Sequence, residues 1–170
     1  MVKTSKVEVK MRTSKHKEHQ YFVESSLTNI LSIHENRLAH KDLKRIMVLD
    51  DSTDCLDAIR VMLKDLSHLQ IETFSNETHA LNEFSQNEPD LVILDMNLGR
   101  LNGIEVASLF NKLSIFNIPV IFISYDGKVR KEIEVRLGKE ITFMEKPISG
   151  KTLINSIDHI LKVNKGGAYA

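Results

Sequence analysis

The chain has 170 residues, 42% of them hydrophobic, which suits one globular domain with an appendage. Its 23 Lys/Arg balance 23 Asp/Glu, but the charges are unevenly distributed. Residues 1–45 hold ten basic and five acidic residues, whereas residues 46–170 hold 13 basic and 18 acidic residues. The N-terminal arm is therefore more basic than the core. The single cysteine, Cys55, excludes an intrachain disulfide, and the chain shows neither a signal-peptide pattern nor a membrane-length apolar run, so we expect a cytoplasmic protein with no membrane partner.

The N-terminal arm divides into a tail and a helical pattern. Residues 1–18 mix Lys, Ser and Thr with few large apolar side chains, which predicts a disordered basic tail that is solvated rather than bound to nucleic acid. Residues 19–43 carry apolar side chains at helical intervals, which predicts an amphipathic helical extension. Its stripe is formed by Tyr21, Phe22, Leu27, Ile30, Leu31 and Leu38. Such a stripe needs a partner, either the core of its own chain or, as we favour, residues 19–40 of a second copy in a homodimer.

From residue 44 onward, strand patterns alternate with helix patterns. Strands are predicted at 45–49, 69–74, 90–94, 119–123 and 141–144, and helices at 53–66, 77–86, 103–114, 128–137 and 151–162. Asn76 and Asn102 are placed to cap the second and third of these helices. The alternation implies right-handed crossovers and an α/β fold with a doubly wound, five-stranded parallel sheet over residues 44–163, followed by a flexible tail over 164–170.

Four of the predicted strands end at polar residues whose side chains can take part in catalysis or bind a metal ion. These residues are Asp50 with Asp51, Asp95, Ser124 and Lys146, the last followed by Pro147. Because the carboxyl ends of parallel strands meet at one edge of the sheet, we expect three carboxylates, a hydroxyl and an ammonium to converge there. Hard carboxylate oxygens suit Mg²⁺, and an ammonium beside them suits phosphoryl oxygens. The pattern therefore indicates Mg²⁺-assisted phosphoryl chemistry.

Each of these residues also has an ordinary explanation when it is taken alone. Asp50 and Asp51 could be a pair favoured by the positive end of a helix dipole, and this explanation has about equal weight. Ser124 could be a turn or helix-cap residue, and Lys146 could be a hydrated surface charge. The placement of all of them at strand ends is much more specific than any single one.

Residues 44–163 resemble the receiver domain of bacterial two-component response regulators, which has a flavodoxin-like fold. The similar segments are IMVLDD, LVILDMNLGRLNG, VIFIS and FMEKP, in the order and at the spacing of that family. The resemblance implies that Asp95 is the phosphoacceptor. It also implies that Asp51, Asp95 and the backbone carbonyl of Asn97 bind Mg²⁺, with Asp50 assisting through water.

The resemblance further implies roles for residues of the last two strands. Lys146 would bind the phosphoryl group, Ser124 would bind it as a hydroxyl switch, and Phe143 would be the aromatic switch residue. The chain departs from the family pattern at two places: Asn-Leu-Gly at 97–99 replaces the usual Met-Pro, and Tyr125 replaces a usually small residue. We expect the bulk of Tyr125 to obstruct inward rotation of Phe143.

The function implied by the resemblance is signalling rather than separate enzymatic activity. The protein would accept a phosphoryl group from a histidine kinase or a histidine phosphotransfer protein and contact a downstream effector protein. It would catalyse only this transfer to itself, with autodephosphorylation left open. One alternative is a pseudo-receiver that binds partners without phosphorylation, which Tyr125 weakly favours. Another is an aspartyl-nucleophile phosphatase, which would need an acid at the position of Asn97.

Overall fold

The computed structural model describes residues 43–114, 116–138 and 141–166. The strands of the main sheet are β1 (Lys44–Leu49), β2 (Leu69–Phe74), β3 (Leu91–Asp95), β6 (Val120–Ser124) and β7 (Thr142–Glu145). A separate pair consists of β4 (Asn97–Leu98) and β5 (Leu101–Asn102). The helices are α1 (Thr53–Leu63), α2 (Glu77–Gln86), α3 (Gly103–Leu113), α4 (Val129–Leu137) and α5 (Gly150–Gly166).

The main sheet is parallel throughout, and its five strands lie in the order β2-β1-β3-β6-β7. The chain moves outward from β1 to β2 and then returns past β1 to β3. This reversal creates a crevice outside the carboxyl ends of β1 and β3, where open α/β sheets bind ligands. The predicted doubly wound, five-stranded parallel sheet is confirmed.

Alternating side chains of the strands build two separate hydrophobic cores, because successive residues of a strand point to opposite faces. In β1, Met47 and Leu49 face α2, α3 and α4, whereas Ile46 and Val48 face α1 and α5. All five residues of β3 are buried, as expected for a central strand covered on both faces. Because helices cover both faces of β3, its register in the sheet is fixed. This register places Asp95 at the carboxyl end of the strand.

The predicted helix caps are confirmed. The side chain of Asn76 accepts hydrogen bonds from Thr78 N and His79 N at the start of α2. At the start of α3, Asn102 and Glu105 form a capping box, in which each side chain accepts from the other's backbone N–H. These bonds satisfy amide groups that the first helical turn leaves without partners.

Two helix ends differ from the predicted ones by three or four residues, other element ends differ by one residue, and one hairpin is additional. Helix α1 ends at Leu63 rather than at residue 66, because the chain turns there with Leu66 N donating to Leu63 O. Helix α5 continues to Gly166 rather than ending at 162, and no Pro or Gly interrupts it before that residue. The β4–β5 hairpin was not predicted, because two paired residues on each side give no detectable period.

Several predictions fall on residues outside the described ranges. The basic tail over 1–18 and almost all of the helical extension over 19–43 lie there, as do residues 167–170 of the C-terminal tail. These remain predictions. Among the described helices, none has the length and apolar character that crossing a membrane requires.

Candidate functional site

The predicted polar residues lie together at the carboxyl edge of the main sheet. Asp50 directly follows β1, Asp95 is the last residue of β3, and Ser124 is the last residue of β6. Lys146 directly follows β7, and its peptide bond to Pro147 is cis. Three of these strands are neighbours in the order β1-β3-β6, and β7 is next to them.

Lys146 is the centre of the site, since its ammonium bridges two carboxylates. Its Nζ lies 2.7 Å from Asp50 Oδ2 and 2.8 Å from Asp95 Oδ1. All three side chains are buried, with exposed fractions of only 6%, 1% and 4%. Burial by itself would lower the pKa of Lys146, but hydrogen bonds to Asp50 and Asp95 outweigh it and raise this pKa. Lys146 is therefore a fixed internal cation and not a surface charge.

Asp95 has a hydrogen-bond donor at each carboxylate oxygen. Oδ1 faces Lys146, and Oδ2 accepts from the backbone N–H of Asn97 at 2.6 Å. Burial raises the pKa of Asp95 above the ordinary range, and the neighbouring charge of Asp50 adds to this effect. The hydrogen bonds from Lys146 and Asn97 act in the opposite direction but are smaller. The carboxylate is thus held in one orientation by two donors inside a site that disfavours its charge.

The acid cluster has the composition expected of a magnesium site. Oxygen atoms of Asp50, Asp51 and Asp95 lie within 4.8 Å of one another. Asp50 is anchored by a hydrogen bond from Ser52 N to its Oδ1, at 2.9 Å, whereas Asp51 is exposed at the rim. Carboxylates held this close together repel one another unless a cation compensates. Three carboxylates, two buried and one open to water, fit Mg²⁺, which prefers oxygen ligands and retains part of its water shell.

Ser124 stands beside the acid cluster with its hydroxyl turned to the following loop. Its side chain is buried, and its Oγ accepts from Asp126 N at 3.1 Å. Its carbonyl accepts from Lys146 N at 2.8 Å, which ties the end of β6 to the segment that carries the ammonium. The structure thus places Ser124 at the expected strand end, in a turn-type hydrogen bond.

Tyr125 and Phe143 occupy different surroundings. The Tyr125 side chain is exposed, with 69% of its surface accessible, and Lys146 Nζ lies 5.2 Å from the centre of its ring. This distance is within the range of a cation–π interaction. Phe143 is half-buried in β7 and packs against the core formed with α2, α3 and α4. Whether Tyr125 obstructs rotation of Phe143 stays a prediction.

Two contributors to the site were not recognised in the sequence. Cys55 in the first turn of α1 places its Sγ 3.6 Å from Lys146 Nζ. Gly103, which opens α3, is packed so closely that a Cβ there would lie 2.5 Å from the carbonyl oxygen of Asp95. The resemblance implies that Gly103 keeps its place in the family pattern, but its close contact with Asp95 carries no sequence signal of its own. Cys55 lies four residues after Asp51, in the first turn of the helix that begins at the site, and this position in the sequence indicates that it is near the site.

The geometry agrees with comparisons to known proteins. A family model described as "Response regulator receiver domain" matches residues 46–158. The chain is 27% identical over 118 residues to the response regulator protein TodT of Pseudomonas putida, a match that covers 69% of this chain and 51% of TodT. It is 29% identical over 140 residues to the probable transcriptional regulator ycf27 of Guillardia theta, covering 80% of this chain and 54% of ycf27. The chain therefore spans about half the length of the curated relatives it matches.

Solved structures give the same result. The signal receiver domain of a putative Luxo repressor protein from Vibrio parahaemolyticus is 28% identical, with a TM-score of 0.64, and the match covers 72% of this chain and 93% of that one. A CheY-like response regulator receiver domain protein from Methanospirillum hungatei has a TM-score of 0.66 and covers 73% of this chain and 98% of its own. At 21% identity, the second match supports the fold alone.

Proposed function

The chain belongs to the response regulator receiver domain family, and we propose that it accepts a phosphoryl group on Asp95 in a two-component signalling system. One observation carries the proposal: a buried ammonium, that of Lys146, bridges Asp50 and Asp95 beside an exposed third acid, Asp51. Such a site offers a nucleophilic carboxylate, positive charge for phosphoryl oxygens and an open side for the donor. The donor would be the phosphohistidine of a kinase or a phosphotransfer protein.

Asp95 provides the nucleophile. One of its carboxylate oxygens would form a bond to phosphorus while the phosphorus–nitrogen bond of the phosphohistidine breaks and the electron pair stays on the imidazole. The N–H of Asn97 fixes the plane of the carboxylate, so the nucleophile is already oriented before the donor arrives. Because burial raises the pKa of Asp95, its ionised carboxylate is more basic than a solvated one and is the better nucleophile toward phosphorus.

Positive charge at the site would come from two sources. Lys146 is held beside Asp95 Oδ1 and would keep contact with the oxygens of the transferred group. Asp51, Asp95 and the backbone carbonyl of Asn97 would hold Mg²⁺, with Asp50 acting through water. When bound, Mg²⁺ would neutralise negative charge on the phosphoryl oxygens. We propose no other enzymatic activity, and autodephosphorylation stays open.

Output would follow from the residues around the phosphoryl group. Ser124 would exchange its bond from Asp126 N for a bond to a phosphoryl oxygen, because its hydroxyl can rotate in place. This exchange would alter the β6–α4 loop and the surroundings of Phe143, biasing an equilibrium between two conformations. A downstream effector protein would recognise the altered surface.

The proposal is tested by phosphorylation with a small phosphodonor, acetyl phosphate, and mapping of the modified residue by mass spectrometry. The parent should be labelled at Asp95 only when Mg²⁺ is present, and EDTA should abolish the labelling. Asp95→Asn keeps the side-chain shape but lacks the nucleophilic oxygen, so labelling should fall to background. Asp57→Asn, at an exposed position on α1 paired with Arg60, should be labelled like the parent.

Two results would contradict the proposal. Stoichiometric labelling of the Asp95→Asn variant would mean that another residue is the acceptor. A folded parent that stays unlabelled by both acetyl phosphate and a phosphorylated histidine phosphotransfer protein would favour the alternative of a phosphorylation-independent binding module, for which the exposed ring of Tyr125 over Lys146 is the supporting observation.

A further inference from the structure

The segment after Asp95 is a small hairpin whose first residue, Asn97, is hydrogen-bonded to the Asp95 carboxylate. Residues 97–102 form it, with Asn97 paired to Asn102 and Leu98 paired to Leu101. The turn between them contains Gly99 at a φ of 29°, a left-handed conformation that favours glycine. Asn97 at the base donates its N–H to Asp95. Movement of the hairpin would therefore displace a hydrogen-bond donor of the proposed phosphoacceptor.

The base of the hairpin is held by its own neighbours in sequence. Gly103 N donates to Met96 O at 3.0 Å, which closes the loop from the end of β3 to the start of α3. Asn102 also belongs to the capping box with Glu105. These contacts lie at the end of the hairpin nearest the helix.

The tip of the hairpin is held by a residue from elsewhere in the chain. Glu77, the first residue of α2, accepts hydrogen bonds at Oε1 from Arg100 N at 3.2 Å and from Leu101 N at 3.3 Å. One carboxylate oxygen therefore receives two backbone donors of the hairpin. The backbone N–H of Glu77 itself, followed by those of Leu101 and Arg100, lowers the pKa of Glu77 and overcomes the opposing effect of its slight burial.

We infer that Glu77 is a positioning residue that holds the β4–β5 hairpin so that Asn97 stays against Asp95, and that it thereby sets the affinity for Mg²⁺. The inference rests on the proposed function, because Asn97 contributes a ligand only if Asp95 and its neighbours bind the ion. Among the described residues, no hydrogen bond joins the Glu77 side chain to Asp95, Asp51 or Asn97, and its bonds go to Arg100 and Leu101. It acts through the hairpin, where a charged acceptor makes stronger bonds to N–H groups than a neutral one.

The test compares the parent with Glu77→Ala and Glu77→Gln in two measurements on the full chain. Hydrogen exchange by NMR reports on the amides of Arg100 and Leu101, and titration with Mg²⁺ reports on the metal site. Glu77→Ala removes the acceptor and should speed exchange of these two amides and weaken Mg²⁺ binding, each by about three- to tenfold, the range expected for one or two exposed hydrogen bonds. Glu77→Gln retains an acceptor oxygen but loses the charge that strengthens these bonds, so its effects should lie between those of the parent and those of Glu77→Ala.

Glu132→Ala is the matched control. Glu132 also lies in the first turn of a helix and is paired within that helix to Arg136, so its loss removes a similar charge without touching the hairpin. It should leave the amide exchange of Arg100 and Leu101 and the Mg²⁺ affinity unchanged. An equal weakening of Mg²⁺ binding in Glu132→Ala would assign the effect to net charge and overturn the inference.

The remaining outcomes separate this inference from the proposed function. If the parent binds Mg²⁺ and Glu77→Ala binds it equally tightly, the positioning role is refuted and the proposed function stands. If the parent binds no Mg²⁺, the proposed function fails together with the metal part of the inference. In that case unchanged exchange at Arg100 and Leu101 in Glu77→Ala would refute the structural part as well.

Discussion

At the scale of single residues, Asp95 is under opposing influences whose balance determines how stability depends on pH. Burial raises its pKa more than Lys146 and Asn97 lower it. The folded protein therefore binds this proton more tightly than the unfolded chain does, and the ionised carboxylate costs stability. This cost is absent below the ordinary value of 3.8, grows as the pH rises through the folded pKa and is complete above it.

Replacing Asp95 by Asn should therefore stabilise the protein near neutral pH in the absence of divalent ions. The gain should shrink as the pH falls toward 4, because the parent then becomes neutral at this position too. Urea unfolding of both proteins in EDTA at pH 4 and pH 7 measures the difference. If Asp95→Asn is instead the less stable protein at pH 7, the ion pair with Lys146 outweighs the cost of burial.

Tyr125 is bulky where the family resemblance implies a small residue, and its side chain is 69% exposed. If its ring blocks the inward path, Phe143 should stay outward after phosphorylation, and Tyr125→Ala should enlarge the phosphorylation-dependent change in the NMR signals of Phe143. Tyr125→Phe, which keeps the ring over Lys146, should behave like the parent. Inward rotation of Phe143 in the phosphorylated parent would refute this prediction.

At the scale of elements, the start of α3 is constrained by its contact with the end of β3. A Cβ on Gly103 would lie 2.5 Å from the carbonyl oxygen of Asp95 and 3.1 Å from Met96 Cα. Both atoms belong to backbone, which cannot yield as a flexible side chain can. Helix α3 can therefore start beside Asp95 only with glycine at this position.

Gly103→Ala should destabilise the protein by about 2–3 kcal/mol, the cost of forcing backbone apart in a packed region. Gly150→Ala is its control, since Gly150 also opens a helix but a Cβ there would approach Met62 Cγ at 3.3 Å. Because the Met62 side chain can adjust, we expect a change of less than about 1 kcal/mol. Urea unfolding compares the two variants, and similar losses for both would show that the contact with Asp95 is unimportant.

At the scale of the whole molecule, the N-terminal arm is the part whose role rests on sequence alone. The apolar stripe predicted for residues 19–40 needs a covering surface. The described core already packs helices on both faces of its sheet, so pairing with a second copy is the solution we favour.

Deleting residues 1–40 should therefore convert a dimer into a monomer and leave phosphorylation of Asp95 intact. Leu31→Glu, which places a charge in the stripe, should have the same effect in the full chain. Asn36→Glu, on the side of the predicted helix opposite Leu27, should not. Sedimentation velocity measures the oligomeric state. A monomeric full chain, or a truncated chain that is still a dimer, would contradict self-association through this segment.

Much of the fold and the identity of the site residues could be read from the sequence. Strand and helix periods are local properties, and the right-handed connection of parallel strands leaves few topologies. Each strand ends where a polar residue interrupts an apolar run, so Asp50, Asp95, Ser124 and Lys146 were correctly placed at strand ends. Their convergence followed from the geometry of parallel sheets rather than from any contact visible in the sequence.

Only the tertiary structure decided how these side chains pair. Lys146 reaches Asp50 across 96 positions of the chain, and Glu77 reaches the hairpin across 23 and 24. The ring of Tyr125 over Lys146 and the tight contact at Gly103 likewise depend on side-chain rotamers and close packing. The periodicity of a sequence determines which face of a helix or strand a residue occupies. The contacts of its side chain depend on how the helices and strands pack together, which local periodicity does not specify.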